Sequence, residues 1–504
     1  MQRKAFVISI LILLGTCNGF VHSLPYARSF GEVHSGAKTI LTDLGVHLAH
    51  EENGLYILES GGEAFACRLW LLDHAHASID LQYYSLARDV TGRIATDHLL
   101  RAADRGVKIR ILVDDAANKL QRYDMKLLES HDNIEIRVYN AGLKAGRIDK
   151  RLKYLARNSN RLLRRMHSKT LTVDGIACVL GGRNIADMYS DYDRNYNFRD
   201  RDVLMLGKAA GGAQTSFNDF WNDELTIKYT ELIGGDGKFK MADPARFDPL
   251  HQFPKRARQF WPIIKERAEK FPQTFHSASE AGQVIWTKQV HFVADPPGKN
   301  EDRAKRQGGT STDSLYALIR SAKRSLNIES PYVILDDSNK KLLADAVKRG
   351  VKVRIMTNSL ASTDNLEAFN AYQRDRKALV VMGLQVFEFK SNAAIQHKLM
   401  VPDVQAARHY KAVYGFHVKT IVIDSSICVI ASYNFDPRSA NYNTECLCIV
   451  RSQKMAHDLT KMFEDQIMPD NAWPVTHNCT PDAKAGIKKR IMVRTRRWIP
   501  KKLV

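Results

Sequence analysis

"HSKTLTVDGIACVLGGRN", residues 167–184, governs the reading of this chain, because it occurs twice. Residues 417–434 read "HVKTIVIDSSICVIASYN", and the two stretches align without a gap at an offset of 250 residues. The pairs His167/His417, Lys169/Lys419, Thr170/Thr420, Asp174/Asp424, Cys178/Cys428, Val179/Val429 and Asn184/Asn434 are identical. In each copy a β-branched run meets a turn and a second apolar run follows. Asp174-Gly175 is a favoured hairpin turn, and Asp424 stands before Ser425-Ser426 in the same place. In a strand, residues two apart share a face, so His167 and Lys169 project together, as do His417 and Lys419. Asp174 is an odd number of residues from both, which predicts that it shapes the hairpin rather than touching substrate.

The echo extends upstream. "RGVKIRIL" (105–112) matches "RGVKVRIM" (349–356), and "SIDLQYY" (78–84) parallels "SLNIESPY" (325–332). Each half reads strand, helix, strand, helix, strand, then the motif hairpin. That alternation predicts an α/β fold of two related domains, each a mixed sheet flanked by helices, packed about a pseudo-twofold axis with one shared site. The helices "HLLRAADRG" and "KLLADAVKRG" end at a basic residue and Gly106 or Gly350, an ordinary stop signal. The expected boundaries are a signal peptide or anchor (1–23), a first domain (24–226), a connector (227–310), a second domain (311–470) and a basic C-terminal tail (471–504). Glycines and prolines interrupt the connector, which reads as one or two helices and a strand returning near "GQVIWTKQVHFV". The basic stretch 144–165 reads as a helix or an ordered loop.

The 504 residues suffice for two full cores, and 44% apolar with 26% charged residues is ordinary for a globular chain. The formal charge of +20 favours anionic partners, phospholipid headgroups or nucleic acid. Arg3 and Lys4 precede an apolar run from Ala5 to Leu14, too short for a membrane span and suited to a cleaved secretory signal or an uncleaved anchor. Removing residues 1–23 removes two basic and no acidic residues, leaving +18. The seven cysteines form no framework: Cys178, Cys428, Cys446 and Cys448 sit in strand-like runs and read as small buried hydrophobes.

A lone strand histidine is more often structural than chemical. Two gap-free copies, each followed ten residues after the Asp by an Asn, reverse that expectation. If the halves converge, two imidazoles supply a nucleophile and a general acid, while two lysines and two amides bind a phosphate. No carboxylate cluster has metal-ligand spacing, so neither metal nor cofactor is expected, and charge stabilisation falls to Lys169, Lys419, Asn184 and Asn434.

These residues carry a resemblance. The chain resembles the phospholipase D superfamily, whose signature is H-x-K-x4-D followed by a small-small-x-Asn turn. It is also similar to bacterial cardiolipin synthases of the subgroup lacking two N-terminal membrane helices, through "SIDLQYY", "GGRNIAD", "FRDRDVL", "ESPYVI", "TNSLASTDN" and "NFDPRSANYNTE". The resemblance implies that His167, Lys169, Asp174, His417, Lys419 and Asp424 are the catalytic motif. It implies that His167 forms a phosphohistidine and that His417 protonates the leaving alcohol and later activates the acceptor. A downstream acid in each half would orient each histidine: Glu445 in the second half, and Asp200 or Asp202 in the first, Asp200 being favoured. Ser is usual where the first copy has Gly182, which implies one phosphate donor fewer.

The function implied is a phosphatidyl transferase making cardiolipin from phosphatidylglycerol and a second phospholipid. The alternatives are a phospholipase D releasing phosphatidic acid and, less favoured, a nuclease. No interleaved run of aromatic and basic residues suggests base stacking, so no nucleic-acid partner is expected. The expected partners are phospholipid substrates and an anionic membrane surface, met by the basic, Trp498-bearing stretch 484–504. An accessory protein is neither implied nor excluded. The expected location is the bacterial cell envelope, periplasmic or associated with the inner membrane.

Overall fold

The strand and helix periodicities of the two halves produce two sheets of matching design. The computed structural model describes residues 40–46, 48, 52–141, 164–233, 247, 251, 260–300, 308–400, 412–478 and 481–501. The N-terminal segment 1–23 and nearly all of the basic stretch 144–165 lie outside the described residues.

The first half contributes β1 (Asn53–Leu58), β2 (Ser78–Tyr83), β3 (Lys108–Asp114), β4 (Ile134–Tyr139), β5 (Lys169–Val173), β6 (Ala177–Gly181), β7 (Tyr196–Arg199), β8 (Asp202–Leu206) and β9 (Thr226–Lys228). The stretch read as connector supplies β10 (Ile285–Thr287) and β11 (Val290–Ala294). The second half adds β12 (Ser325–Glu329), β13 (Lys352–Asn358), β14 (Gln385–Phe389), β15 (Val413–Phe416), β16 (Thr420–Ile423), β17 (Ile427–Ala431), β18 (Cys446–Arg451) and β19 (Ala472–Pro474). One sheet runs β10-β1-β8-β6-β5-β2-β3-β4-β9 and the other β11-β18-β17-β16-β12-β13-β14-β19. Apart from β10, the two orders correspond strand for strand. In each, the β2- and β3-type strands run parallel and the motif hairpin pairs antiparallel to the β2-type strand.

The returning strand is therefore two strands. β10 closes the edge of the first sheet on β1, and three residues later β11 opens the second sheet on β18. The second sheet thus begins inside the stretch read as connector, and β19 extends it past residue 470. The connector helices Trp261–Glu269 and Phe271–Glu280 cover helix Gly61–Asp73, with the Phe271 ring 5.9 Å from Trp70 and Phe275 5.7 Å from Tyr56.

Helices Val90–Asp104 and Asp337–Lys348 show why local sequence repeats give local structure repeats. Asp89 and Asp336 cap them, each side chain accepting a backbone N–H from the first turn. Gly106 and Gly350 follow them at φ +93° and +85°, a conformation glycine adopts without penalty.

The halves meet face to face. Alternate residues of the hairpins face the other half, so Cys178 and Leu180 on β6 join Cys428 and Ile430 on β17 in one apolar layer with Val203, Met205, Val422, Cys448 and Val450, and with Ala213 of helix Lys208–Trp221 and Leu459 of helix Gln453–Ile467. Cys67, Cys178, Cys428, Cys446 and Cys448 are free thiols, all buried. β7 and β15, one strand from each half, form a separate parallel pair. No helix among the described residues is long and apolar enough to cross a membrane.

Candidate active site

Both motif histidines stand immediately before their hairpins, where β5 begins at Lys169 and β16 at Thr420. Because the hairpins run antiparallel to β2 and β12, this is the carboxyl end of the parallel strands, where open α/β sheets hold their ligands. Backbone bonds between the halves fix both histidines. His167 N–H donates to Thr444 C=O (2.9 Å), and His417 N–H donates to Arg199 C=O (2.7 Å). Thr444 and Arg199 each immediately precede an acid.

The consequence is an exchange. Glu445, from the second half, lies 2.9 Å from Nδ1 of His167, and Asp200, from the first half, lies 2.5 Å from Nδ1 of His417. Each imidazole thus meets the acid of the opposite half. Asp202 is occupied elsewhere, accepting from Arg68 at 2.8 Å with Arg183 3.4 Å away. A carboxylate engages Nδ1 of each ring and leaves Nε2 facing away from that acid.

Lys169 Nζ donates to the His167 carbonyl (2.5 Å) and Lys419 Nζ to the His417 carbonyl (2.7 Å). The four groups share one electrostatic neighbourhood: Lys419 acts on His167 and Lys169 on His417, across the halves. Burial is nearly complete, with His167 9% exposed, His417 6%, Lys169 0% and Lys419 2%. Taking cations out of water lowers all four pKa values. Burial, with each neighbouring lysine adding to it, brings His167 and His417 to about 4 despite their acids. Burial brings Lys169 to about 7 and lowers Lys419 as well. Asp200 is held at about 2, because His417 and Lys419 outweigh its own burial.

Aromatic rings wall the pair. Tyr84 meets His167 edge-on at 5.0 Å, and Tyr189, Phe198 and Tyr332 surround His417 at 5.4, 4.6 and 6.4 Å. Asn184 and Asn434 are buried in the turns that follow β6 and β17. Asn184 Oδ1 accepts the Ser85 N–H at 3.1 Å, leaving its NH2 as the donating end, while the buried Asn434 Oδ1 has no partner among the described residues.

Asp174 and Asp424 do not join this cluster, which corrects their place in the catalytic motif. Each sits at the far end of its hairpin strand, seven residues and about 23 Å along the chain from its histidine at about 3.3 Å per residue. Asp174 accepts backbone N–H groups of His76, Ala77 and Ser78 (3.0, 2.7 and 2.9 Å). Asp424 does the same with Lys323, Arg324 and Ser325 (2.9, 2.7 and 2.9 Å). Both occupy the left-handed region, at φ +52° and +53°, where Asp is tolerated.

The expectation for Gly182 is also revised. Its counterpart Ser432 donates to Glu445 Oε2 (2.5 Å), and Ser439 donates to Oε1 (2.7 Å), so this hydroxyl serves the orienting acid. At Gly182 a Cβ would fall 2.3 Å from Asp200 Oδ1, so the shorter acid of the first half fills the space a side chain would take. Sequence reasoning also missed Asp295, beyond the end of β11. Its carboxylate accepts the Glu445 N–H (3.0 Å) and pairs with buried Lys299 (2.9 Å). Spacing carries no signal for such a contact across 150 residues.

The family described as "Cardiolipin synthase, PLD-like domain" matches residues 69–221 and again 315–467. Cardiolipin synthase C of Escherichia coli (strain K12) is 31% identical over 427 residues, covering 83% of this chain and 86% of that protein. Cardiolipin synthase 1 of Bacillus anthracis is 25% identical over 439 residues, covering 86% and 70%. Among solved structures, the phosphatidylserine synthase of Haemophilus influenzae Rd KW20 shares the fold, with a TM-score of 0.57 at 12% identity, covering 91% of this chain and 96% of that one. Twice-matched by one domain family, with a repeated sheet and one histidine site between the copies, this chain belongs to the cardiolipin synthase family of phospholipase D-like enzymes.

Proposed function

We propose that the chain is a phosphatidyl transferase acting through a phosphohistidine, and that its product is cardiolipin formed from phosphatidylglycerol and a second phospholipid. The observation that carries this reading is the pair of buried imidazoles, each held at Nδ1 by the other half's carboxylate, beside two buried lysines. His167 Nε2 attacks the phosphorus of a phosphodiester, and the P–O bond to the leaving alcohol breaks as His417 gives that oxygen a proton. The phosphatidyl group then rests on His167. His417, now neutral, takes the proton from the acceptor hydroxyl as its oxygen attacks phosphorus, and the P–N bond breaks.

The division of roles follows the resemblance, and burial brings both histidines to about 4. His167 is unprotonated at neutral pH, as a nucleophile must be. His417 is also neutral in the empty site, and the phosphodiester anion restores its affinity for a proton, together with that of the lysines. Lys169, Lys419 and the amides of Asn184 and Asn434 hold the phosphoryl oxygens. The sparing exposure of the histidines favours an alcohol over bulk water as acceptor.

One assay tests the reading. Purified protein is mixed with labelled phosphatidylglycerol, phosphatidylethanolamine and short DNA, and the products are identified by mass spectrometry. Cardiolipin is the expected product; phosphatidic acid alone would make the enzyme a hydrolase, and cut DNA a nuclease. His167→Ala should abolish any covalent phosphoenzyme, whereas His417→Ala should still form one from a substrate with a good leaving group. The reverse pattern would exchange the two roles.

A further inference from the structure

The basic C-terminal stretch is not left to solvent. Helix Ile487–Arg494 lies on helix Leu366–Val381, with Val493 buried, its carbonyl accepting from Asn370 Nδ2 (3.0 Å), and Arg496 paired with Glu367 (2.5 Å). Its outer face meets no partner among the described residues. Ile487 and Ile491, one turn apart and therefore side by side, are 68% and 57% exposed, and Trp498 beyond them is 89% exposed. Lys484, Lys488, Arg494 and Arg497 are exposed around them. From Ala483 to Val504 the chain has no Asp or Glu. Apolar side chains standing in water on a stretch that carries cations and no acid of its own suit an interface that is apolar below and anionic at its surface.

The inner face of the same helix reaches a loop beside the candidate active site. Lys489 Nζ donates to the carbonyls of Ala361 (3.0 Å) and Thr363 (2.8 Å). Between them, the Ser362 carbonyl accepts from Tyr196 Oη (2.5 Å), and the next residue, Asp364, accepts from Tyr332 Oη (2.9 Å). Tyr332 belongs to the aromatic wall of His417. Asn358, at the start of this loop, bonds both the N–H and the C=O of Phe416, the residue before His417.

We propose that exposed Ile487 and Ile491 on this helix, with exposed Trp498 beyond its end, form a foot that rests on an anionic phospholipid bilayer, and that Lys489 ties this foot to the loop 358–364 beside His417. Docking thereby sets the loop at the mouth of the site when the enzyme stands on its substrate surface. The link to catalysis rests on the transferase reading above; the docking itself does not.

The test uses the full chain and cosedimentation with vesicles of phosphatidylcholine alone or mixed with phosphatidylglycerol. The double variant Ile487→Glu/Ile491→Glu, and Trp498→Ala separately, should bind the mixed vesicles at least about tenfold more weakly. Turnover of a short-chain phosphatidylglycerol below its micelle concentration should be unchanged in both. Wild-type vesicle binding by the double variant overturns the foot, and so does equal, salt-insensitive binding of wild type to neutral vesicles. Lys489→Met should bind vesicles as wild type does yet turn over vesicle lipid about fivefold more slowly; full turnover would remove the link to the loop. Should the protein process no lipid at all, the transferase reading fails while the vesicle comparison still decides the foot.

Discussion

At the scale of residues, the two halves differ at one position whose effect is geometric. Gly182 leaves room for the Asp200 carboxylate, while Ser432 donates its hydroxyl to Glu445. Gly182→Ser should therefore push Asp200 off His417 and lower kcat about 100-fold, with a melting temperature that shows the protein still folded. Undiminished kcat would mean that the carboxylate has another place to go. Charge sets the second expectation. Lys169 loses its proton near pH 7 in the free enzyme, so kcat/KM should fall as pH rises through that value. On the acid side it should fall as pH drops toward 4, where His167 gains a proton. A profile of kcat/KM on a soluble nitrophenyl phosphodiester, whose leaving group needs no proton from His417, that stays flat across this window would contradict these electrostatics. The histidines, lysines and asparagines were legible in the sequence because each is repeated at a constant offset. The fit of Gly182 to Asp200 was not, because it depends on how closely the turn after β6 approaches the chain between β7 and β8.

At the scale of elements, each hairpin is fastened by its aspartate to the start of the neighbouring strand, at the end remote from the chemistry. Asp174→Asn keeps a residue that tolerates the left-handed turn but replaces an anion accepting three N–H groups with an amide that can accept fewer. Loss of about 2 kcal/mol in unfolding free energy is expected, since hydrogen bonds to charged acceptors are the stronger kind. kcat per folded molecule should be unchanged. A large drop in kcat without loss of stability would restore Asp174 to the catalytic motif. These elements were readable because alternation over five-residue runs and the capping aspartates act locally. The split of the returning strand into β10 and β11 was not readable. Nothing in "IWTKQVHFVA" itself says that its two ends hydrogen-bond to different sheets; β1 and β18 decide that.

At the scale of the whole molecule, the site exists only because the halves trade acids. The repeat made a shared site legible, but composition and spacing assign an acid to a half, not to a histidine. The backbone bonds from His167 to Thr444 and from His417 to Arg199 make the exchange, and they form only when the two sheets pack through the layer of Cys178, Cys428 and Cys448. The exchange yields a prediction that pairing within each half would invert. Glu445→Gln should impair His167 and slow formation of the phosphoenzyme with every substrate. Asp200→Asn should impair His417, whose task is to protonate the leaving group. A substrate whose leaving group needs no proton, such as a nitrophenyl phosphodiester, should therefore recover most of the rate lost in Asp200→Asn and little of that lost in Glu445→Gln. Both substitutions keep size and remove charge, so a loss of about 100-fold or more on the natural alcohol leaving group is expected for each. Rapid-quench measurement of phosphoenzyme on the two substrates separates the cases. Rescue of the Glu445 variant in place of the Asp200 variant would mean either that each acid serves the histidine of its own half or that His417 is the nucleophile, and the His167→Ala and His417→Ala pair tells these apart.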